Sequence, residues 1–274
     1  MDEPLVSIVM PTCNRANLIS ASIKSVISQT YDNWELLIID NGTTDETREV
    51  VRKIQTDEPR IVYIEVKRDP TTRIIKYLNQ GISLAKGKYI ARLDDDDTWI
   101  CSDKLRQQVD FLELKSDYVL VGGGVVIVNE KGEELFRYYK RETDAMIRKH
   151  ALFSNPFSHT TVMFRKDVAL QLGGYKTNYV EDWEFWLRLG KQGKMYNTPE
   201  YYANYLAAAQ NYSLVDEKQQ VATILGLIRS YRYDYPCYRK AFLFNCLQYG
   251  FLFLPFGFRQ KVQTGLKYVK RRYF

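Results

Sequence analysis

The run Arg92-Leu93-Asp94-Asp95-Asp96-Asp97-Thr98-Trp99 sets four carboxylates side by side at the end of an apolar stretch. Two unit charges about 4 Å apart repel by roughly 4 kcal/mol at an effective dielectric near ~20. A folded chain keeps such a run only where something answers the charge. Solvent at a turn is one answer, with Asp97 or Ser102 capping the next helix. A divalent cation is another, and it reverses the sign of the interaction. If the strand stays extended through Asp96, alternation sends Asp94 and Asp96 to one side and Asp95 to the other, so a D-x-D pair converges. With oxygen donors only, the cation would be hard, Mg2+ or Mn2+, and phosphate oxygens would complete its shell. Asp95 and Asp97 are then structural or secondary ligands.

The elements that must position these acids follow from periodicity. LVSIVM (5–10) is a β-branched run, and Ile19, Ile23, Val26 and Ile27 recur at helical spacing. WELLII (34–39) is closed by Asp40-Asn41-Gly42, and a helical segment with Val50, Val51 and Ile54 follows. A strand over 61–66, a helix over 74–85 and a strand over 88–93 complete the alternation. Such a βαβ order predicts an α/β fold with a mainly parallel central sheet, buried on both faces and flanked by helices. Ligands collect at the carboxyl ends of these strands. There the chain places Thr12-Cys13-Asn14-Arg15, Asp40-Asn41-Gly42 and Asp94 to Asp97, with Lys67, Arg68 and Arg73 adding positive charge. Further on, the pattern predicts a helix over 103–114, a strand over 118–128 turning into a partner over 134–139, a strand over 160–164, and helices over 166–172 and 182–189.

Composition narrows the class. At 274 residues with 45% hydrophobic content, the chain can build a sizeable core. Four cysteines without CxxC spacing, and only two histidines, indicate neither a zinc site nor a disulfide framework. The start, MDEPLVSIVM, has no basic n-region, so the cytoplasm is the expected compartment. The net charge of +6 is concentrated in FRQKVQTGLKYVKRRYF at the carboxyl end rather than spread over the body, so no nucleic-acid partner is expected. There is no GxGxxG, no GxxxxGK[ST], and no glycine-rich loop in PTCNRAN. Dinucleotide oxidoreductases, P-loop enzymes and nucleotidyltransferases lose their main signatures.

Four segments together resemble the inverting glycosyltransferases of family two, which have the GT-A fold. They are PTCNRANLISASIKSVISQTYDNWELLIIDNGTTDET, NQGISLAKGKYIARLDDDDTW, NPFSHTTVMFRKDVALQLGGY and EDWEFWLRL, in the family's order. The resemblance implies a GT-A domain over 1–210, with a donor half to about residue 100 and an acceptor half after it. It also implies a nucleotide-diphosphate sugar donor, with Asp40, Asn41 and the Thr12 backbone holding base and ribose. Asp94 would sit by ribose and metal, Asp96 would be the main metal ligand, and Asp95 would lie beside them. UDP is the expected carrier; dTDP and GDP stay open, because Asn41 stands where a second aspartate is frequent. Glu181-Asp182 matches the acidic pair whose second member deprotonates the acceptor, making Asp182 the catalytic base. Glu181, Trp183 and His159 fall on the acceptor side, and Arg73 is a candidate contact for the diphosphate. Capping of the following helix by Glu181 and Asp182, and a structural histidine at 159, are the plainer readings of the same residues. An idle, membrane-bound scaffold of the same fold is the non-catalytic alternative.

Residues 211–274 are expected to form a helical extension. AFLFNCLQYGFLFLPFGF (241–258) is too short and too interrupted to span a bilayer. Beyond it, Val262, Leu266, Val269 and Tyr273 share one helical face while Lys261, Lys267, Lys270, Arg271 and Arg272 supply charge. That pattern suits peripheral contact with the inner face of the plasma membrane, and equally packing on the domain or in a homodimer interface. In the membrane case the acceptor would be a lipid-linked saccharide, as in surface-polysaccharide or glycolipid assembly.

Overall fold

The computed structural model describes residues 3–67, 74–176, 180–207, 217–251 and 253. Arg73 and the basic stretch 261–273 lie outside the described residues. The amino-terminal half alternates strand and helix: β1 (Val6–Thr12), α1 (Ile19–Ile27), β2 (Trp34–Asp40), α2 (Thr47–Asp57), β3 (Ile61–Glu65), α3 (Ile74–Leu84) and β4 (Tyr89–Arg92). The second half runs β5 (Thr98–Trp99), α4 (Lys104–Leu114), β6 (Tyr118–Val128), β7 (Glu134–Tyr138), α5 (Asp144–His150), a 3-10 turn (His159–Thr161), β8 (Met163–Arg165), α6 (Lys166–Gln171), α7 (Glu181–Gly190), β9 (Lys194–Leu206), α8 (Glu217–Ser230) and α9 (Tyr238–Phe251).

The strands form one sheet in the order β3-β2-β1-β4-β8-β6-β9-β5, with β7 paired to β6. β3, β2, β1 and β4 are mutually parallel, as the βαβ pattern predicts. β8 then runs antiparallel to both β4 and β6, while β6 and β9 are parallel, so the second half of the sheet is mixed.

Alternation along the central strands divides the core between the two faces. Val9, Leu37, Ile39 and Ile90 pack with Tyr77, Leu78 and Ile82 of α3 and Phe185, Trp186 and Leu189 of α7. Ile8, Leu36, Ile38 and Ala91 pack on the opposite face with Ile19, Ile23 and Val26 of α1 and Leu105, Val109 and Leu112 of α4. Helices on both faces explain why β1 and β2 read as continuous apolar runs. α3 approaches β1 closely because Gly81 faces Val9; any side chain there would collide with Val9. The described part of the carboxyl-terminal extension docks on α7: Tyr235 donates to Leu187 O at 2.7 Å and Tyr231 to Glu184 Oε1 at 2.7 Å.

Two expectations are corrected. The strand expected over 160–164 is a 3-10 turn followed by the three-residue β8. The extended strand through Asp96 does not form: β4 ends at Arg92, and Asp97 N bonds Asp94 O at 3.2 Å, closing a turn. The four carboxylates therefore sit on a turn rather than alternating along a strand, all at the sheet's carboxyl edge and within one another's fields.

Candidate active site

The turn of acids is held by a different partner at each position. Arg92, fully buried, gives Nη2 to Asp94 Oδ1 at 2.5 Å, Nη1 to Leu93 O at 2.9 Å and to Val9 O, and Nε to His159 Nε2 at 3.1 Å. Arg15, on the loop after β1, lies 3.5 Å from Asp95 Oδ1 and 3.7 Å from Asp96 Oδ2. Asp97 is buried and accepts from Leu206 N at 3.0 Å, tying the acidic turn to β9.

These partners set the acids apart electrostatically. Burial pushes Asp94 up, but the Arg92 charge and hydrogen bond outweigh it and leave the carboxyl below its ordinary range. Asp95 is pushed up to about 7, by burial first and then by the Asp96 charge. Asp96 and Asp97 are raised by burial and by the charge of Asp94. One member of the run is thus fixed as an anion while the others resist ionisation.

The loops after β1 and β2 are laced together beside this turn. Asn14, at φ +55°, accepts from Thr44 N at 2.8 Å; Arg15 N donates to Thr47 Oγ1 at 2.8 Å, and Ala16 N to Asp45 Oδ2 at 3.1 Å. Asp40 accepts from Thr43 N at 3.0 Å and from the Tyr63 hydroxyl. Asn41 Oδ1 accepts from the Tyr77 hydroxyl, and Asn41 N bonds Thr12 O at 2.9 Å. The Thr12 hydroxyl is buried beside the Asp95 carboxylate and favours its ionised form. Thr12, Asp40, Asn41, Asp94, Asp95 and Asp96 therefore share one edge, as expected.

The opposite wall comes from the second half of the chain. After α6, Gly173 N bonds Leu170 O and Gly174 N bonds Ala169 O, each at 3.0 Å. With φ of +74° and +65°, the two glycines form a Schellman cap. The cap delivers Tyr175, whose backbone is clamped by Asn79 through bonds of 2.8 and 2.9 Å. The Tyr175 hydroxyl meets His159 Nε2 at 2.8 Å, so Tyr175, His159, Arg92 and Asp94 form one chain of hydrogen bonds. Burial and the neighbouring Arg92 push His159 down to about 3, which makes it a neutral ring at ordinary pH.

Glu181 and Asp182 open α7 across from that chain. Asp182 Oδ2 accepts from Asn155 Nδ2 at 2.6 Å, and Oδ1 from Trp183 N at 2.7 Å. Burial raises Asp182, with Asp94 adding to the rise, and burial with the Asp182 charge pushes Glu181 up to about 7. The acids of the two halves thus lie within reach of one another's fields, with Tyr175 among them. Trp183 is placed otherwise: only 5% exposed, it turns its indole N–H to Ala151 O at 2.7 Å and anchors α7 to the core.

Arg92, Tyr175 and Asn155 carry much of this geometry and were not singled out from sequence. A charged residue ending the buried strand YIAR was the available signal for Arg92. Asn155 and Tyr175 open and close the segment NPFSHTTVMFRKDVALQLGGY, but their roles arise from contacts across the sheet. Among the described residues, no group of three or more His, Cys, Asp or Glu converges as a metal cage.

Comparison with known proteins bears on the family and the fold. Residues 7–173 match the profile of Glycosyl transferase family 2. EpsE of Bacillus subtilis (strain 168), named as a glycosyltransferase, is 34% identical over 203 residues, 72% of this chain and 71% of EpsE. The O-antigen biosynthesis glycosyltransferase WbnJ of Escherichia coli is 30% identical over 186 residues, 68% of this chain and 71% of WbnJ. Among solved structures, the mannosyltransferase PcManGT of Pyrobaculum calidifontis, in complex with GDP-Man and Mn2+, superposes with a TM-score of 0.67 at 16% identity, covering 97% of this chain and 81% of that one. Staphylococcus aureus TarS 1–349 with UDP-GlcNAc gives a TM-score of 0.63 at 15% identity, covering 81% of this chain and 66% of that one. These structural likenesses show a shared fold, that of GT-A glycosyltransferases. The chain belongs to glycosyltransferase family 2 and is a glycosyltransferase.

Proposed function

We propose that this enzyme transfers a sugar from a nucleotide-diphosphate donor to a hydroxyl acceptor by a single displacement with inversion, with the aid of a divalent cation. The observation that carries the proposal is the meeting of two acidic groups from opposite halves of the chain. Asp94, bonded to Arg92, heads the hydrogen-bond chain through His159 to Tyr175, and its charge acts on Glu181 and on Asp182, which Asn155 holds at the start of α7.

The residues fit a hard cation. Asp94 and Asp96 offer carboxylate oxygens only, and the counter-charge at Asp96 is Arg15, at 3.7 Å and with its side chain 36% exposed, loosely enough held to be displaced. Asp96 and Asp94 would hold Mn2+ or Mg2+, with donor oxygens completing the shell. When bound, the ion neutralises the diphosphate leaving group. The chain's own residues do the rest. Arg92 keeps Asp94 ionised and aimed, and Thr12, Asp40 and Asn41 line the side expected to receive the nucleoside. Asn155 and Trp183 N–H fix the plane of the Asp182 carboxylate. As the bond between acceptor oxygen and anomeric carbon forms, that carboxylate takes the hydroxyl proton, and the anomeric carbon–phosphate oxygen bond breaks with its electron pair on the diphosphate.

The relatives bear on substrate class. WbnJ is named for O-antigen biosynthesis. WfgD of Escherichia coli, 38% identical over 129 residues and covering 47% of this chain and 49% of WfgD, is named for glucosyl transfer from UDP-Glc to a diphosphoundecaprenol-linked sugar. A saccharide or lipid-linked saccharide acceptor in surface-polysaccharide or glycolipid assembly follows as this enzyme's role. UDP leads among donors, with GDP and dTDP behind it. Among the described residues no helix is long and apolar enough to cross a membrane. α9 does expose Leu243 and Leu247, which supports peripheral contact with the inner face of a membrane ahead of the basic segment.

A panel of UDP-, GDP- and dTDP-sugars, read by nucleotide release, tests the assignment. Asp182→Asn should bind donor as the native enzyme does and lose transfer by about 100-fold or more. Normal transfer by Asp182→Asn would remove it as the base, and no release from any donor would sink the transferase chemistry proposed.

A further inference from the structure

Resting on that reading, we propose that one face of β7 and β9, formed by Phe136, Tyr138 and Tyr205 and ending at Lys140, is the track on which the acceptor saccharide lies. Among the described residues β7 is an edge strand, paired to β6 alone. Its register puts Phe136 opposite Ile127, and Ile127 opposite Tyr205 of β9, so the three occupy one cross-strand row. Tyr138, two residues on, shares that face; its ring stacks with Phe136 at 6.2 Å between centroids and 24° between planes. The rings step from solvent toward the acids. Phe136 is 52% exposed, Tyr138 and Tyr205 are partly buried, and both tyrosines feel the Asp97 charge. Lys140 continues the line: its Nζ lies 5.3 Å from the Tyr138 ring, and its charge reaches Asp182. Lys140 also lines a small cavity with Asn155, the residue bonded to Asp182.

A packing role accounts for Tyr138 and Tyr205, which lie against the buried cluster on that face. It does not account for a half-exposed Phe136 on an edge strand. Nor does it explain why the aromatic row ends at the two acidic centres that must meet across a transferred sugar. A pyranose matches such a surface in chemistry: its C–H faces stack on rings, while its rim hydroxyls bond to phenol and ammonium groups. Continuity with Asp97 at one point and Asp182 at another makes a saccharide acceptor the occupant, in preference to a second copy of the chain.

The probe is an immobilised array of neutral and acidic mono- to tetrasaccharides, incubated with the full chain in the presence of UDP or GDP and Mn2+. Donor hydrolysis, the transfer of sugar to water, is read in parallel because it needs no acceptor. The native protein should bind at least one saccharide class. Phe136→Ala should weaken that binding roughly tenfold, Tyr138→Ala should weaken it at least as much, and Tyr138→Phe, which keeps the ring, should retain it. Donor hydrolysis should be unchanged in Phe136→Ala and Tyr138→Phe. Because Tyr138→Ala opens a cavity, the exposed Phe136→Ala, checked by its unfolding midpoint, decides the matter if Tyr138→Ala fails to fold. Saccharide binding by Phe136→Ala equal to native, or no saccharide bound by the native protein, would overturn the track. So would native self-association, seen by sedimentation, that Phe136→Ala abolishes while leaving saccharide binding intact. Those results leave the transferase reading standing as long as nucleotide is released; absence of release from every donor removes that reading instead.

Discussion

Replacing Arg92 by Met should disable the donor site while the fold survives. The guanidinium is 1% exposed and serves four acceptors at once: Val9 O, Leu93 O, Asp94 Oδ1 and His159 Nε2. Met fills similar volume and donates to none of them. Asp94, 27% exposed, loses the charge that offset its burial. Breaking a buried pair by removing one partner costs about 3–5 kcal/mol, so the whole effect should lie near ~4 kcal/mol. For a domain of this size that lowers the unfolding midpoint by about 8–16 °C. Arg92→Lys keeps the charge but not the fork, and should recover only part of the loss. A cycle with Asp94→Asn should show coupling of about 2 kcal/mol, because Asn no longer needs the cation. Scanning calorimetry reads the midpoints, and titration with UDP and Mn2+ reads the site. A midpoint within about 2 °C of native together with unchanged nucleotide affinity would refute the view that Arg92 aims and ionises Asp94.

Burial raises Asp182 above the ordinary carboxylate range, so transfer should fade as pH falls through that raised value, because only the unprotonated base accepts a proton; kcat/KM should drop about tenfold per pH unit below it. Asn155→Ala removes the hydrogen bond that holds Asp182 down, so the acid limb should move to higher pH, and an unmoved limb would detach Asp182 from it. Gly174→Ala forces a left-handed backbone on alanine and drives its Cβ into Asn79, so the protein should lose about 1–3 kcal/mol of stability in urea melts; an unaltered midpoint would count against the cap. Trp183→Phe leaves Ala151 O without its donor and should lower stability by about 1–2 kcal/mol with acceptor KM unchanged, whereas a large rise in acceptor KM would return Trp183 to the acceptor surface.

The amino-terminal half could be read from sequence because its strands are covered on both faces. β1 and β2 are unbroken apolar runs, and each is followed by a helix with clear periodicity, so the βαβ order and the ligand edge follow directly. The second half obeys non-local rules. β9 contains Pro199 and a run of tyrosines, lacks alternation, and is held by pairing with β6 across register shifts, none of which is a local signal. Asp94 to Asp97 announced a charged site, but not what holds the charges in place. The turn, Arg15 and Arg92 do that, and two of those three depend on contacts with distant residues. Trp183 shows the converse: a residue beside the acidic pair that looked chemical is used to anchor a helix.

The most direct test of the central claim is calorimetric titration of the native chain with UDP and with GDP, with and without Mn2+, repeated on Asp96→Ala. The account predicts that one of the two nucleotides binds tightly only when the ion is present, and that Asp96→Ala abolishes this dependence along with most of the affinity. Equal affinity with and without Mn2+, unaltered by Asp96→Ala, would contradict it.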